Sequence, residues 1–290
     1  MLPLLLLFLA ANPRWEFLVT NLQVFPGTER FFEPDARLFW RLRPNLRGLR
    51  AAERLPEREF PFTVSTDDQG RRLTPPAAGA QASILFLGDS CTFGIPVNDE
   101  EAFPAVVERR LSGVRCLNAG VPGYSAFQGR LLLEQMAASQ PAPRAVVVTF
   151  WPNDGSVWDH LSDLEHAQML EGAFTPRLTR LVRRATAPKR PRLTNEEFAA
   201  EIRALIRRTR AWGAEPIIVL WPSRPQMSGA PEIDRQQTLR RLAREHRTRL
   251  ADLAQVFRSR GGAALFTDNI HATRDGYALA AEALLPLLGP

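Results

Sequence analysis

Lysine is almost missing from this chain: Lys189 is the only one, so the formal net charge of +6 at pH 7 is carried by arginine. A basic balance can mean nucleic acid, an anionic membrane surface or an acidic polymer. No stretch interleaves basic and aromatic residues as a nucleic-acid motif does, so no nucleic-acid partner is expected. Cysteine is scarce as well. Cys91 and Cys116 are too few for a disulfide framework and read as buried free thiols beside strands. Histidine, cysteine and acidic residues nowhere fall at metal-ligand spacing, and no metal or other cofactor is expected. A long hydrophobic run is missing too. Leu2 to Ala11 is strongly apolar but has only half of the ~20 residues a helix needs to span a bilayer, and it lacks the basic start of a complete signal peptide. It reads as a signal-anchor whose start precedes this sequence, an atypical signal sequence, or a surface-seeking helix. All three favour an exported or membrane-associated protein, with a membrane surface as a contact. A hydrophobic arm folded onto a cytoplasmic domain stays open, and nothing in the chain speaks to its oligomeric state.

What is present is an ordinary globular composition, 290 residues that are 45% hydrophobic and 23% charged, enough for one sizeable α/β core. The expected organisation is a hydrophobic N-terminal segment over 1–28, an accessory extension with a linker over 29–80, and one catalytic domain over 81–290. In the extension, Phe60 to Thr66 and Arg71 to Leu73 flank Asp67-Asp68-Gln69-Gly70, which predicts a β-hairpin. From Ile84 onward strands and helices alternate. Strands are expected at Ile84–Leu87, Val114–Asn118, Ala145–Trp151, Pro216–Trp221 and Leu250–Leu253, and helices over Glu101–Leu111 and Ala126–Ser139. A further helix starts at a capping box of Thr194 and Glu197 and ends at Gly213, and Thr273 caps the last one. Such alternation implies a parallel sheet with helices on both faces.

The chemistry begins where the first of these strands stops. Ile84-Leu85-Phe86-Leu87 runs straight into Gly88-Asp89-Ser90, which leaves Ser90 at the strand's C-terminal end, the edge where open α/β sheets place their ligands. A serine hydroxyl is a weak nucleophile until a base takes its proton. Of the four histidines, His160, His166, His246 and His271, only His271 follows an acid at a suggestive spacing, in Asp268-Asn269-Ile270-His271. One turn can present both of those side chains to the same spot. Cys91 is a rival nucleophile, but adjacent residues at a turn point in different directions.

Gly-Asp-Ser near the start and Asp-x-x-His near the end resemble the first and last motifs of the SGNH/GDSL hydrolases. Leu117-Asn118-Ala119-Gly120-Val121-Pro122-Gly123-Tyr124-Ser125 resembles that family's glycine motif, and Trp151-Pro152-Asn153-Asp154 its Gly-x-Asn-Asp motif, with Trp151 where the family often has glycine. Four motifs in the family's order span most of the chain. The resemblance implies the family's flavodoxin-like three-layer sandwich and a serine esterase or lipase. It implies Ser90 as nucleophile, His271 as base and Asp268 as its orienter. It also implies an oxyanion hole from the N–H groups of Ser90 and Gly120 and the side chain of Asn153. Tyr124 and Trp151 are the substrate-binding residues expected beside it, Trp151 narrowing the pocket, while Asp89 and Asp154 read as loop-holding. The substrate expected is a small-molecule, carbohydrate or lipid ester. An O-acyltransferase or deacetylase acting on exported polysaccharide would use the same residues, and a non-catalytic carbohydrate-binding protein could keep the fold. Gly88-Asp-Ser-Cys-Thr is not the Gly-x-Ser-x-Gly elbow, which argues against the α/β-hydrolases. Between Asp154 and Thr194 an insertion carries Trp158, Met169, Leu170 and Phe174, then a basic run of Arg177, Arg180, Arg183, Arg184, Lys189, Arg190 and Arg192. It reads either as a lid or membrane-facing segment over the site or as a solvated basic helix.

Overall fold

The computed structural model describes residues 29–75, 79–157, 161–171 and 188–289. The leading apolar segment, part of the linker, Trp158, Phe174 and Arg177, Arg180, Arg183 and Arg184 lie outside the described residues, as do the side chains of Met169 and Leu170. Among the described residues no helix is long and apolar enough to cross a membrane.

The extension forms two antiparallel hairpins, β1 (Phe32–Asp35) with β2 (Phe39–Leu42) and β3 (Leu49–Leu55) with β4 (Arg58–Val64). The main part follows as β5 (Ala82–Gly88), α1 (Ser90–Phe93), α2 (Phe103–Arg110), β6 (Val114–Gly120), α3 (Ala126–Ser139), β7 (Ala145–Thr149) and α4 (Asp163–Glu171). It continues as α5 (Asn195–Trp212), β8 (Glu215–Leu220), α6 (Asp234–Glu245), β9 (Arg249–Asp252), α7 (Leu253–Arg260) and α8 (Arg274–Leu288). All five strands of the main sheet are parallel, in the order β6-β5-β7-β8-β9. That is the doubly wound 2-1-3-4-5 order, whose switch point lies between β5 and β7. The predicted α/β architecture with an added N-terminal ribbon is the one observed.

The strands sit where apolar residues run without polar interruption, as covering by helices on both faces demands. Ile84, Leu85, Phe86 and Leu87 are wholly buried, each worth about 1.5–3 kcal/mol on transfer from water. The Thr194 capping box forms as expected, Thr194 Oγ1 accepting the Glu197 N–H at 3.2 Å while Glu197 takes the Thr194 N–H at 2.7 Å.

The hairpin expected around Asp67–Gly70 shrinks to a single bridge between Thr66 and Arg72, and the long hairpin is β3–β4 instead. Arg72 is the physical reason. Its N–H donates to the Asn118 carbonyl of β6 at 3.1 Å, so the chain after Gly70 leaves the ribbon for the edge of the main sheet. Its guanidinium, fully buried, pairs with Asp99 at 2.8 Å and donates to the carbonyls of Thr63, Phe93, Gly94 and Val97. Five acceptors from the ribbon and the loops after β5 thus close on one cation. Arg72→Met should lower the free energy of unfolding by about 3–5 kcal/mol, since it leaves Asp99 and four carbonyls without their donor. Denaturant unfolding reads this as a fall in midpoint; an unchanged midpoint would show the clamp to be dispensable.

Candidate active site

β5 pairs with both β6 and β7 so that Gly88 lies level with Gly120 and with Thr149. Three loops therefore start at one level of one edge: that of Ser90, that of the glycine motif, and that of Asn153. Ser90 opens α1, capped by Asp89, whose Oδ1 accepts the Cys91 N–H at 2.9 Å. His271 reaches the same edge from the turn before α8. Its Nε2 lies 2.7 Å from Ser90 Oγ, and its Nδ1 lies 2.7 Å from Asp268 Oδ2. Asp268 Oδ1 accepts the N–H groups of Ile270 and His271 at 2.8 and 2.6 Å, so the turn that presents the carboxylate is tied by that carboxylate.

Burial alone would lower the His271 pKa, but the hydrogen bond and charge of Asp268, joined by the charges of Glu53 and Asp89, outweigh it and raise it. Burial would likewise raise that of Asp268, and the bonds and charge it receives from His271 hold it instead at about 2. The pair is thus an ionised carboxylate beside an imidazole ready to accept a proton from Ser90. Cys91 is completely buried and its thiol stays protonated, because burial and the nearby Asp89 push its pKa well up. That removes the rival nucleophile. Burial also lifts Asp89 to about 6 and Asp154 to about 7. Both hold loops: Asp154 Oδ1 accepts the Ala126 N–H at 2.7 Å, and Asp89 Oδ2 lies 3.3 Å from the Asn153 amide.

The glycine motif departs from expectation. The Gly120 N–H donates to Asn118 Oδ1 at 3.0 Å, and a Cβ on Gly120 would meet the Phe93 nitrogen at 2.2 Å. Gly120 is therefore spent on letting β6 approach α1, which corrects its expected place in an oxyanion hole. Among the described residues the N–H groups of Ser90 and Gly123 lack a hydrogen-bond partner. Gly123 has φ of +82°, a conformation that favours glycine. Its carbonyl is held by Arg192, which is buried against Asp163 at 2.7 Å. Asn153 reaches the edge as expected, its amide donating to the Tyr124 carbonyl at 3.1 Å.

Tyr124 is corrected as well. Its ring is fully buried against Trp40 and its hydroxyl donates to the Trp40 carbonyl at 2.6 Å, so it joins the extension to the glycine loop and cannot touch a substrate with its side chain. Trp151 commits its indole N–H to the Trp221 carbonyl at 2.9 Å and keeps only 8% of its surface exposed. At the end of the basic run, Arg192 is buried and Arg190 pairs with Glu165 and Glu197 at 3.3 and 3.4 Å. Arg192 thus belongs to the packing beneath the glycine loop, and Arg190 is held at the surface by two carboxylates.

Sequence reasoning missed Gly123, Arg192 with Asp163, and Glu53. A carboxylate oxygen of Glu53, one of Asp268 and a ring nitrogen of His271 lie within 4.8 Å of one another. Such a trio has the donor chemistry for a divalent cation, but both ring nitrogens of His271 already face Asp268 and Ser90. A cavity of about 290 Å³ between the extension and α3, lined in part by Arg41, Gln69 and Met136, includes none of the triad.

Labelling of Ser90 by a serine-directed phosphonate needs the neutral imidazole. It should rise with pH through a midpoint above the usual imidazole value of about 6.5, because the His271 pKa is raised. Asp268→Asn removes the charge that raises it, so the midpoint should move to lower pH while the plateau rate falls by about 10⁴-fold. A midpoint that stays in place would mean that Asp268 does not govern His271.

The model of the GDSL-like lipase/acylhydrolase family matches residues 86–279. No curated protein sequence matches the chain. Among solved structures, a member of the lipolytic G-D-S-L family from Veillonella parvula is 17% identical, over 71% of this chain and 97% of that one, with a TM-score of 0.51. The acetyl xylan esterase AlAXEase is 18% identical over 71% and 100%, at 0.51. An acetylxylan esterase from Geobacillus stearothermophilus is 19% identical over 74% and 97%, at 0.50. At these identities the neighbours establish a shared fold.

Proposed function

Because the chain belongs to the GDSL-like lipase/acylhydrolase family, we propose that it is a serine esterase that cleaves a carboxylic ester through an acyl-enzyme on Ser90. The observation that carries this reading is the unbroken chain Ser90 Oγ, His271 Nε2, His271 Nδ1, Asp268 Oδ2, with 2.7 Å at each link between side chains. Ser90 Oγ attacks the acyl carbon while its proton passes to His271 Nε2. The tetrahedral intermediate then collapses, the C–O bond to the alcohol breaks, and His271 returns the proton to the leaving oxygen. Water repeats the sequence on the acyl-enzyme, releasing the carboxylic acid and restoring Ser90.

The carbonyl oxygen becomes an anion in both tetrahedral intermediates and needs donors fixed beforehand. The unpartnered N–H groups of Ser90 and Gly123 suit this role. The Asn153 amide is the third donor, with the long 3.3 Å contact to Asp89 as the one it gives up. Gly123 takes the place first expected of Gly120 because only its N–H is free. The peptide that carries the Gly123 N–H is held at its other end, where the Pro122 carbonyl accepts the Trp40 indole N–H at 3.3 Å, and Arg192 grips the next carbonyl along, that of Gly123.

Ser90→Ala should abolish phosphonate labelling and lower kcat/KM on p-nitrophenyl acetate by about 10⁴-fold or more, since the triad acts as a unit. Activity that persisted in Ser90→Ala would remove the proposal. Asn153→Ala should lower kcat by about 10²–10³ with little change in KM, because its bond strengthens only in the transition state. A change confined to KM would assign Asn153 to substrate binding.

A further inference from the structure

Glu53 enters the site from outside the residues the family model matches. It lies in the middle of β3, opposite Phe60 of β4, on a hairpin of the extension. That hairpin is fastened beside the site through Asn98, whose Oδ1 accepts the N–H and hydroxyl of Thr63, each at 3.0 Å, and through the Arg72 clamp. Three of its other charged side chains find partners within the ribbon: Arg54 pairs with Glu59 at 3.2 Å and Arg58 stacks over Phe60. Glu53 is half-buried, and among the described residues its carboxylate has neither a cation nor an N–H to bond. It faces instead the Asp268–His271 pair, within 4.8 Å of both. Burial and the like charge of Asp268 raise its pKa against the opposing pull of His271. A carboxylate set next to another one, with no donor of its own, has acceptor capacity left for something that is not the protein.

Position defines what that is. His271 returns a proton to the leaving oxygen, so the alcohol part of the ester must lie along the His271 side of Ser90, with the acyl oxygen turned toward the donors at Ser90 and Gly123. A group this close to the His271 ring borders the alcohol. There a carboxylate accepts a hydrogen bond from a hydroxyl on the carbon next to the ester-bearing one, and it repels a phosphate or carboxylate at the same place. Resting on the serine-esterase reading above, we propose that Glu53 is a specificity-determining residue that selects esters of neutral polyhydroxy alcohols, such as glycerol or sugars, by accepting a hydrogen bond from the hydroxyl neighbouring the scissile ester.

The test uses the full chain and four acetates of different alcohols: ethyl acetate without a neighbouring hydroxyl, glycerol monoacetate with one, acetylglycerol phosphate with a hydroxyl and an anion, and acetylcholine with a cation that cannot donate. In Glu53→Leu the kcat/KM for glycerol monoacetate relative to ethyl acetate should fall about ten-fold or more, as expected for a charge-assisted hydrogen bond. In Glu53→Gln, which keeps an acceptor but not the charge, the fall should be smaller. Acetylglycerol phosphate, which has the same hydroxyl, should gain relative to glycerol monoacetate in both variants as the repulsion is lifted. Equal losses on every ester, with a shifted acid limb in the pH profile, would mean that Glu53 acts only through His271. A loss confined to acetylcholine would mean that it reads charge and not a hydroxyl. Either result, or unaltered ratios, overturns the proposal. Phosphonate labelling of Ser90 runs alongside: normal labelling with unaltered ratios rejects the role of Glu53 alone, whereas no labelling of the parent chain rejects the esterase reading and this inference with it.

Discussion

Everything at this site depends on the level at which three parallel strands stop. Gly88 is paired with Gly120 on one side and Thr149 on the other, and a parallel ladder cannot slip by one residue without turning every buried Val, Ile and Leu of that strand to the opposite face. The fit of the differently shaped β5 and β7 side chains against the helices on each face therefore fixes register, and register fixes where the chain leaves the sheet. Ser90 and Asn153 leave on the two sides of the switch point between β5 and β7, where helices on opposite faces diverge and open a crevice, and the Gly123 loop leaves from β6 next to β5. The hydrophobic core thus sets the coordinates of the polar groups that would do chemistry, although it touches no substrate itself.

The loops above that edge are held by buried polar groups used as connectors. Arg72 collects carbonyls from β4 and the segment after α1, Arg192 joins Asp163 to the Gly123 carbonyl, and Asp154 holds the first N–H of α3. Irregular loops carry carbonyls and N–H groups that no ladder satisfies, and burying them unpaired would be expensive. A guanidinium answers several carbonyls at once from a fixed plane, which a lysine cannot. An arginine-rich composition that looks like surface charge in the sequence is, at Arg72 and Arg192, the inner framing of the site.

What could be read in the sequence was whatever is encoded locally. Ser90 follows an apolar strand, His271 stands three residues after Asp268, and the Thr194 capping box marks the start of α5; each is a short-range pattern with a short-range cause. Helix α6 escaped because half of it is arginine and glutamine, and it buries little beyond Gln236, Leu239, Leu242 and Ala243. The β3–β4 hairpin escaped because β3, Leu49-Arg50-Ala51-Ala52-Glu53-Arg54-Leu55, shows no alternation of apolar and polar residues and turns at Pro56-Glu57 without a glycine. The glycine motif shows two glycines, and which N–H faces outward depends on Asn118 capturing that of Gly120, a side-chain choice that spacing does not encode. Tyr124 looked like a substrate contact because a tyrosine in an active-site loop usually has a polar task. Here the task is to meet Trp40, which the ribbon supplies from a distant part of the chain.

The extension is where local reading fails most, because its influence on the site is entirely tertiary. It grips the glycine loop from below, through the Tyr124 hydroxyl on the Trp40 carbonyl, the Trp40 indole on the Pro122 carbonyl and the Gln128 amide on the Leu38 carbonyl. On the other side it brings Glu53 up to the His271 ring. Ser90, His271 and Asn153 meet at the edge of a sheet whose fold is shared with structures under 20% identical. Glu53 lies on a strand outside the residues the family model matches, with its carboxylate within 4.8 Å of the Asp268 and His271 side chains. On the proposal above, the sheet edge carries the chemistry and the ribbon laid across it carries the choice of alcohol.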